Sequence, residues 1–347
     1  MDRRAGQAQI VGVVTAVPTI RVTMKDVALA VGRLRGRGLH WPAPSLAGMR
    51  YFAQPLPSIM APRSVSAQTD AYLEHARILA RQVSCDALDR SGISRDTVGL
   101  VIGVSCTGFV LPSLDAELIP ILGLRPDVAR LPITELGCGG GIAGLARAAD
   151  YLRAYPDRAV LLFSVELPSL TFQPDDHSVD NLVAAMVFGD GAGAAVLRTG
   201  ASPNQWTVER TGTLLVPEGA RHLGYELRDG GLRVVLSRDL PALVEARLGE
   251  AVDAFLAPSG LCRCDIDIMA AHPGGPRIFE AVERALGLEA DALRISRAVF
   301  AGYGNASSAG IFFVLSALEP ASRTSRALAI AFGPGLSIEL ALLRFGA

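Results

Sequence analysis

Short apolar runs alternate with stretches of helical periodicity along most of the chain. Apolar runs of strand type cover residues 10–14, 98–105, 159–165, 266–272 and 327–332. Around them, apolar side chains recur every three or four positions, the spacing of amphipathic helices, over 24–34, 68–91, 111–122, 138–155 and 241–255. Strands that alternate with helices in this way predict an α/β fold.

Three segments depart from this alternation. Prolines interrupt 19–65, which predicts no strong strand and, after the helix at 24–34, a meandering surface segment. Strands of hairpin type are predicted within 206–235. The stretch 188–197 spaces its glycines like a nucleotide-binding loop, but it leads into a strand and no helix follows, so a tight turn is the better interpretation.

The core pattern occurs twice at a fixed distance. A duplicated α/β unit of this kind predicts two similar halves, at 1–200 and 201–347. A cysteine and an asparagine open equivalent helices and a histidine ends a strand, so the repeat indicates one active site between the halves. Three pairs of landmarks lie 167 positions apart: Cys138 and Asn305, Ser105 and His272, and Val160 and Ala327.

Composition and charge exclude several classes of function. The chain has 347 residues, half of them apolar, which is enough for two sizeable cores. The net charge is −1 and the 33 basic residues are scattered, so neither nucleic acid nor an anionic membrane is a predicted partner. The run 10–14 is too short for a signal-peptide core, and Glu339 interrupts the apolar stretch 327–343. The sequence therefore predicts a cytoplasmic protein without membrane insertion.

The cysteines favour a reducing compartment. They form an odd set of five without a C-x-x-C pair, which does not resemble a disulfide framework. Cys262 and Cys264 are too isolated for a zinc site, so both are interpreted as ordinary thiols and no metal site is predicted. His75, beside Glu74 on the helix at 68–91, is interpreted as a solvated structural histidine.

Cys138 has the surroundings of a nucleophile. Glycines on both sides let the backbone turn sharply and present the sulfur at the start of a helix, where free N–H groups and the helix dipole favour a thiolate. A buried apolar cysteine among small residues is the alternative.

His272 and Asn305 are the predicted partners of this cysteine. His272 ends an apolar run and precedes Pro273, so its ring is held at the mouth of a strand, where imidazolium beside a thiolate would form an activating ion pair. The amide of Asn305 can donate a hydrogen bond to a developing oxyanion without taking a proton. A simple helix-capping role is the alternative for Asn305.

Six short blocks resemble the type III polyketide synthases, the chalcone synthase superfamily, in order from about residue 10 to the C-terminus. The blocks are VSCTGF at 104–109, LGCGGG at 136–141, FGDG at 188–191, HPGGP at 272–276, GYGN at 302–305 and FGPG at 332–335. The resemblance implies a thiolase fold, an α/β architecture with αβαβα layers built from two duplicated halves.

The resemblance also implies the chemistry. Cys138 would accept an acyl group from a CoA thioester, while His272 and Asn305 would promote decarboxylation of malonyl-CoA and stabilise the enolate. Acyl-CoA and malonyl-CoA are then substrates, and no cofactor is implied. Family members are homodimers in which the loop around Leu111 reaches the partner's cavity.

Further positions match the family's binding sites. Phe188 matches the gatekeeper between CoA tunnel and cavity, and Gly333-Pro334-Gly335 matches a loop that shapes the cavity wall. Arg277, and more weakly Arg50, lie where a basic residue can meet CoA phosphates. The other cavity positions are Cys106, Thr171, Tyr225, Val234 and Ser307.

Departures from the plant enzymes bear on the product. Tyr225 replaces a glycine and Val234 a phenylalanine, so one wall is filled and another opened. Cys106 and Tyr225 resemble bacterial tetrahydroxynaphthalene synthases, whereas the segment 231–237 is closer to synthases that take fatty acyl starters. Because Val234 frees space for an extended chain, we expect an aliphatic starter and an alkylpyrone or alkylresorcinol product. A tetrahydroxynaphthalene-type synthase is the alternative.

Three rival functions share parts of this pattern. The 3-oxoacyl-acyl-carrier-protein synthases III share the Cys, His and Asn logic but lack the Gly-Pro-Gly loop. In a cysteine hydrolase Asn305 would merely orient His272, and water would have to reach an apolar cavity. A non-catalytic thiolase-fold subunit would not need all three reactive residues.

Overall fold

A computed structural model describes residues 6–34, 48–289 and 291–346. The strands are β1 (Ala8–Ala16), β2 (Ile20–Thr23), β3 (Met49–Phe52), β4 (Val98–Val104), β5 (Ala129–Ile133), β6 (Ala159–Glu166), β7 (Gly191–Thr199), β8 (Trp206–Leu215), β9 (Leu223–Arg228), β10 (Gly231–Leu236), β11 (Ile268–Ala271), β12 (Ser325–Gly333) and β13 (Ser337–Phe345). The helices are α1 (Met24–Leu34), α2 (Leu56–Ile59), α3 (Val65–Ser91), α4 (Leu114–Ile121), α5 (Gly140–Ala154), α6 (Val179–Val187), α7 (Leu240–Leu256), α8 (Pro276–Leu286), α9 (Arg294–Tyr303) and α10 (Gly310–Ser316).

Two half-sheets of matching topology form the centre of the molecule. One has the order β5-β4-β6-β7-β1 and the other the order β11-β12-β13-β8. In each half a parallel pair, β4 with β6 or β11 with β12, is followed by an antiparallel neighbour. The halves join where β1 pairs with β8. The predicted α/β fold and its duplication are confirmed, whereas the division at residue 200 stays a prediction.

Strands buried on both faces place the helices in layers. On β6, Leu161 faces the cluster that contains α3, while Leu162 faces the cluster that contains α5 and α10. On β12, Leu328 faces α7 and α8, while Ala329 faces α5 and α10. Helices α5 and α10 therefore lie between the half-sheets, while α3 covers one outer face and α7 and α8 cover the other, which gives the expected αβαβα order.

The structural repeat between the helices differs by three residues from the repeat read in the sequence. A 3₁₀ turn at Gly137–Gly139 precedes α5, and a 3₁₀ turn at Ser307–Ala309 precedes α10, an offset of 170 rather than 167. Gly137 has a φ of 46° and Ser307 a φ of 45°, so these two positions correspond. The prediction that Asn305 corresponds to Cys138 is wrong, since Asn305 precedes its turn.

The predicted strands and helices were confirmed in most of the core, but one predicted helix begins at a different residue and two strands were missed. The strands β2 and β3 form within 19–65, where no strong strand was predicted, and 35–47 of that segment lies outside the described residues. Helix α4 begins at Leu114 rather than at 111, because residues 111–113 belong to a loop. The glycine-rich stretch leads into β7 as expected.

The prediction of ordinary thiols at the surface is also wrong. Cys262 and Cys264 are joined by a disulfide bond, because the short turn at Arg263–Asp265 brings their sulfur atoms together, while the other three cysteines are free. None of the helices in the described ranges combines the length and the hydrophobicity that crossing a membrane requires.

Candidate active site

The nucleophile candidate lies where both halves meet. Cys138 is the middle residue of the 3₁₀ turn before α5. Gly137 has a left-handed φ of 46°, and a Cβ there would lie 2.6 Å from the Pro334 ring. Only glycine satisfies both conditions, so the sequence around the cysteine is fitted to the Gly333-Pro334-Gly335 loop of the second half.

A serine hydroxyl lies between two cysteines. The Oγ of Ser307 is 3.6 Å from the Sγ of Cys138 and 3.2 Å from the Sγ of Cys106. Ser307 is one of the non-glycine residues with positive φ in the described ranges, a conformation that such residues rarely adopt. The backbone strain at this position brings one hydroxyl within reach of both thiols.

A buried carboxylate behind Cys106 was missed in the sequence. The Glu166 carboxylate accepts hydrogen bonds from the backbone N–H groups of Cys106 and Thr107, and from the hydroxyls of Thr107 and Ser308. Burial raises its pKa, and these donors oppose part of that rise. The signal was an acidic residue that ends an otherwise apolar strand, β6.

His272 follows β11 directly, as predicted. Its backbone N–H donates to the Ile330 carbonyl at 2.7 Å, and the start of α10 at Gly310 packs against the imidazole. The residue is 3% exposed, and neither ring nitrogen has a well-formed hydrogen bond to any described residue. Buried ring nitrogens without a well-formed hydrogen bond are energetically costly, and a substrate that hydrogen-bonds to the ring would remove this cost.

Asn305 lies beside both residues. Its Oδ1 accepts from the Ser307 backbone N–H at 2.8 Å and is 3.9 Å from the Sγ of Cys138. Its amide interacts with the His272 ring. The structure therefore brings Cys138, His272 and Asn305 together in one buried site.

Burial sets the protonation of this group. It raises the pKa of Cys138 to about 11, an effect that the hydrogen bond with Ser307 opposes, and it lowers the pKa of His272 to about 4. Both side chains are therefore favoured in their uncharged forms. The expectation of a thiolate–imidazolium pair is therefore wrong for this buried site, since desolvation penalises both charges.

A main cavity of about 500 Å³ adjoins this site at Cys106. Its wall includes Cys106, Thr171, Tyr225 and Pro334. The buried hydroxyl of Tyr225 lies close to Thr171 and to Cys106, so this side chain points inward. Cys106 lines this cavity, and the Ser307 hydroxyl lies between its sulfur and that of Cys138.

A smaller apolar space, the inner pocket, lies on the other side of Thr171. It holds about 20 Å³ and its wall includes Val27, Ile59, Met60, Thr171, Phe188 and Val234. Val234 is directly opposite Tyr225 in the β9–β10 hairpin, so both side chains project from the same face. Thr171 therefore separates a space beside Tyr225 from a space beside Val234.

The two arginines predicted at a CoA site have different surroundings. Arg277 is exposed on the first turn of α8, as a phosphate contact requires. Arg50 is 1% exposed and donates to backbone carbonyls, so its proposed contact with CoA phosphates is wrong. Leu111 is 82% exposed on the loop before α4.

Comparison with known proteins places this site in a family. The signature described as "Chalcone and stilbene synthases, N-terminal domain" matches residues 54–203, and the corresponding C-terminal domain matches residues 208–345. A 1,3,6,8-tetrahydroxynaphthalene synthase from Streptomyces peucetius subsp. caesius is 37% identical over 97% of this chain and 93% of its own length. An alpha-pyrone synthesis polyketide synthase-like Pks18 from Mycobacterium tuberculosis is 33% identical over 80% of this chain and 73% of its own.

Solved structures agree with these relatives. The 1,3,6,8-tetrahydroxynaphthalene synthase of Streptomyces coelicolor superposes with a TM-score of 0.90 at 29% identity, over 98% of this chain and 99% of the other. A polyketide synthase from the brown alga Ectocarpus siliculosus gives 0.88 at 27% identity, over 99% and 100%. The protein is thus an acyltransferase that joins acyl groups by condensation, on a thiolase-like fold. It belongs to the chalcone and stilbene synthase family and is a type III polyketide synthase.

Proposed function

We propose that the protein loads an acyl group from acyl-CoA onto Cys138 and extends it with malonyl-CoA, using His272 and Asn305. The observation that carries this assignment is the buried His272 ring, whose nitrogens lack a well-formed hydrogen bond, beside the Asn305 amide. A thioester oxygen in this position would accept hydrogen bonds from both side chains.

The chemistry follows from the uncharged resting state. The thiol proton of Cys138 passes to His272 as the sulfur attacks the starter thioester, and CoA leaves as its thiol. Malonyl-CoA then loses CO₂, and the negative charge that develops on its thioester oxygen is stabilised by His272 and Asn305. The resulting carbanion attacks the acyl carbonyl on Cys138, the carbon–sulfur bond breaks, and the sulfur leaves as a thiolate that takes up a proton from solvent. The extended chain is then a CoA thioester, which reloads Cys138 with release of CoA for the next extension. Decarboxylation supplies the carbanion, so the proposed reaction requires no resident cofactor or metal.

An aliphatic starter is the substrate that the cavity walls support best. The inner pocket is lined mostly by apolar side chains, with Ser169, Thr171 and Asn181 as its polar residues, and it shares Thr171 with the main cavity. Burial of apolar carbons there is favourable, whereas a carboxylate would lose its hydration without a partner. At about 20 Å³ the pocket suits the last carbon or two of a chain whose other carbons lie in the main cavity.

Product analysis tests this assignment. The enzyme is incubated with malonyl-CoA and a series of saturated acyl-CoAs of increasing length, and the products are identified by mass spectrometry. We expect alkylpyrones or alkylresorcinols that retain the starter chain, and none from Cys138→Ala. Products built from malonyl-CoA alone, at the same rate with and without acyl-CoA, would overturn the aliphatic assignment.

The second candidate is a synthase that starts from malonyl-CoA itself. Cys106 favours it, since this second thiol shares the Ser307 hydroxyl with Cys138 in the same cavity. Two relatives described above are named tetrahydroxynaphthalene synthases. A naphthalene product from malonyl-CoA alone, lost in Cys106→Ser, would decide for this candidate.

Two exposed features support the proposed binding of CoA substrates and the proposed homodimer. Arg277 is free to contact the phosphates of acyl-CoA and malonyl-CoA. Phe109 and Leu111 expose 67% and 82% of their surface on one loop, which supports a homodimer that covers them. Light scattering that shows a monomer at working concentration would contradict the dimer. A cytoplasmic location remains part of the proposal.

A further inference from the structure

One buried arginine connects the ends of two helices from different halves. Nη1 of Arg50 donates to the Phe300 carbonyl at 3.1 Å and to the adjacent Met49 carbonyl at 2.7 Å. Nη2 donates to the Met186 carbonyl at 3.2 Å. Met186 is in the last turn of α6, and Phe300 is in the last turn of α9. The guanidinium therefore holds the C-terminal ends of these helices at one point.

These helix ends also stabilise the charge. The C-terminus of a helix carries partial negative charge, which favours a cation. The guanidinium also stacks over the Phe300 ring at 4.7 Å, and within the described ranges no carboxylate forms an ion pair with Arg50. A buried cation held in this way cannot shift without losing several favourable contacts.

The chain that leaves each helix enters the active site. After α6 come Phe188 and Gly189, and after α9 come Gly304 and Asn305. The Asn305 N–H donates to the Val187 carbonyl at 3.0 Å, and the Asn305 carbonyl accepts from the Gly189 N–H at 3.1 Å. Both backbone groups of Asn305 are thus bonded to the exit of α6.

Two glycines leave room for the arginine. A Cβ on Gly304, which has a φ of 81°, would lie 2.4 Å from Cδ and Nε of Arg50. A Cβ on Gly189 would lie 3.0 Å from the same Cδ. The Arg50 side chain therefore passes directly over Gly304, which precedes Asn305 in the chain, and over Gly189, whose N–H donates to the Asn305 carbonyl.

The geometry points to Arg50 as a positioning residue that fixes the Asn305 amide for malonyl-CoA decarboxylation. The inference rests on the proposed function. Arg50 acts through the backbone of Asn305 and does not contact CoA. Its loss should slow the step that uses Asn305 more than the loading of Cys138, because small displacements of an oxyanion donor reduce the rate strongly.

The test compares two partial reactions in Arg50→Met. Starter loading is followed by intact-protein mass spectrometry in a single turnover, and its amplitude counts the folded active sites. Malonyl-CoA decarboxylation is followed as acetyl-CoA formed per folded site. We expect the kcat for decarboxylation to fall at least about tenfold, with the KM for malonyl-CoA unchanged, while loading stays within about threefold. Arg50→Lys, which keeps the charge, should recover part of the loss.

Arg263→Met is the matched control. Arg263 also donates to two backbone carbonyls, those of Gly249 and Ala285, but it lies on the outer turn before β11, bonded to Asp253. We expect this variant to lower the melting temperature without changing the ratio of the two partial reactions. If Arg50→Met does not fold, the same ratio is measured in Arg50→Lys.

Three outcomes would overturn the inference. A proportional fall in both partial reactions would make Arg50 a general stability residue. A raised KM for both CoA substrates at unchanged kcat would make it a CoA contact after all. Wild-type enzyme that does not decarboxylate malonyl-CoA would refute the proposed function, and the inference with it. This failure appears in the wild-type enzyme, whereas the first two outcomes appear only in the Arg50 variants.

Discussion

Replacing Val234 by phenylalanine should shorten the starter that the enzyme prefers. Val234 is 7% exposed and lines the inner pocket, so a ring at this position takes up space that the end of an acyl chain would use. The pocket holds about 20 Å³, which suits one or two terminal carbons. At about 0.8 kcal/mol for each buried methylene, losing two of them costs about 1.6 kcal/mol, on the order of fifteenfold in kcat/KM.

The assay is a competition between acyl-CoA starters that differ by two carbons, with product ratios read by mass spectrometry. Val234→Ala is the matched variant, since it enlarges the same pocket and should shift preference towards the longer starter. An unchanged ratio in both variants, when folded, would show that the chain end does not lie beside Val234. The malonyl-CoA starter would then be favoured.

Three further predictions concern the catalytic turn, its protonation and the surface disulfide. His272 is neutral above its pKa of about 4 and Cys138 keeps its proton below its pKa of about 11, so the pair holds one proton between those values. The kcat/KM for loading should therefore be independent of pH from 6 to 9. A pH profile that falls below about 6.5 and above about 9 would contradict this. Gly137→Ala should lower the melting temperature more than Gly123→Ala, where φ is 66° but no atom lies within 4 Å of an added Cβ; equal effects in calorimetry would refute the steric argument. Without reductant the unfolded protein should titrate three thiols, and five after reduction; five thiols before reduction would contradict the Cys262–Cys264 disulfide.

The pattern of the sequence was sufficient for the α/β architecture and for the three reactive residues, whereas the αβαβα layers were implied by the family resemblance. Runs such as 159–165 are apolar except for Ser164, a composition typical of strands that are buried on both faces. Cys138 and His272 were recognisable because each lies at the junction of a strand or helix with a glycine-rich turn. Local sequence determines such junctions, so they can be predicted without the rest of the chain.

Long-range contacts were beyond the reach of the pattern. Arg50 lies within the short strand β3, and the carbonyls of Met186 and Phe300 that it binds are 136 and 250 positions away, so nothing nearby indicated burial. Glu166 has partners at 106, 107 and 308. The sequence did not reveal that the turns before α5 and α10 are 170 residues apart and not 167, because the strand ends determined the apparent 167-residue repeat.

The most direct test locates the first covalent intermediate. The enzyme is mixed briefly with an acyl-CoA starter without malonyl-CoA, quenched in acid and digested, and the modified peptide is sequenced by mass spectrometry. The account predicts one acyl group per chain on Cys138, none in Cys138→Ala, and normal loading in Cys106→Ser. An acyl group on Cys106, or loading that persists in Cys138→Ala, would contradict the assignment of the nucleophile.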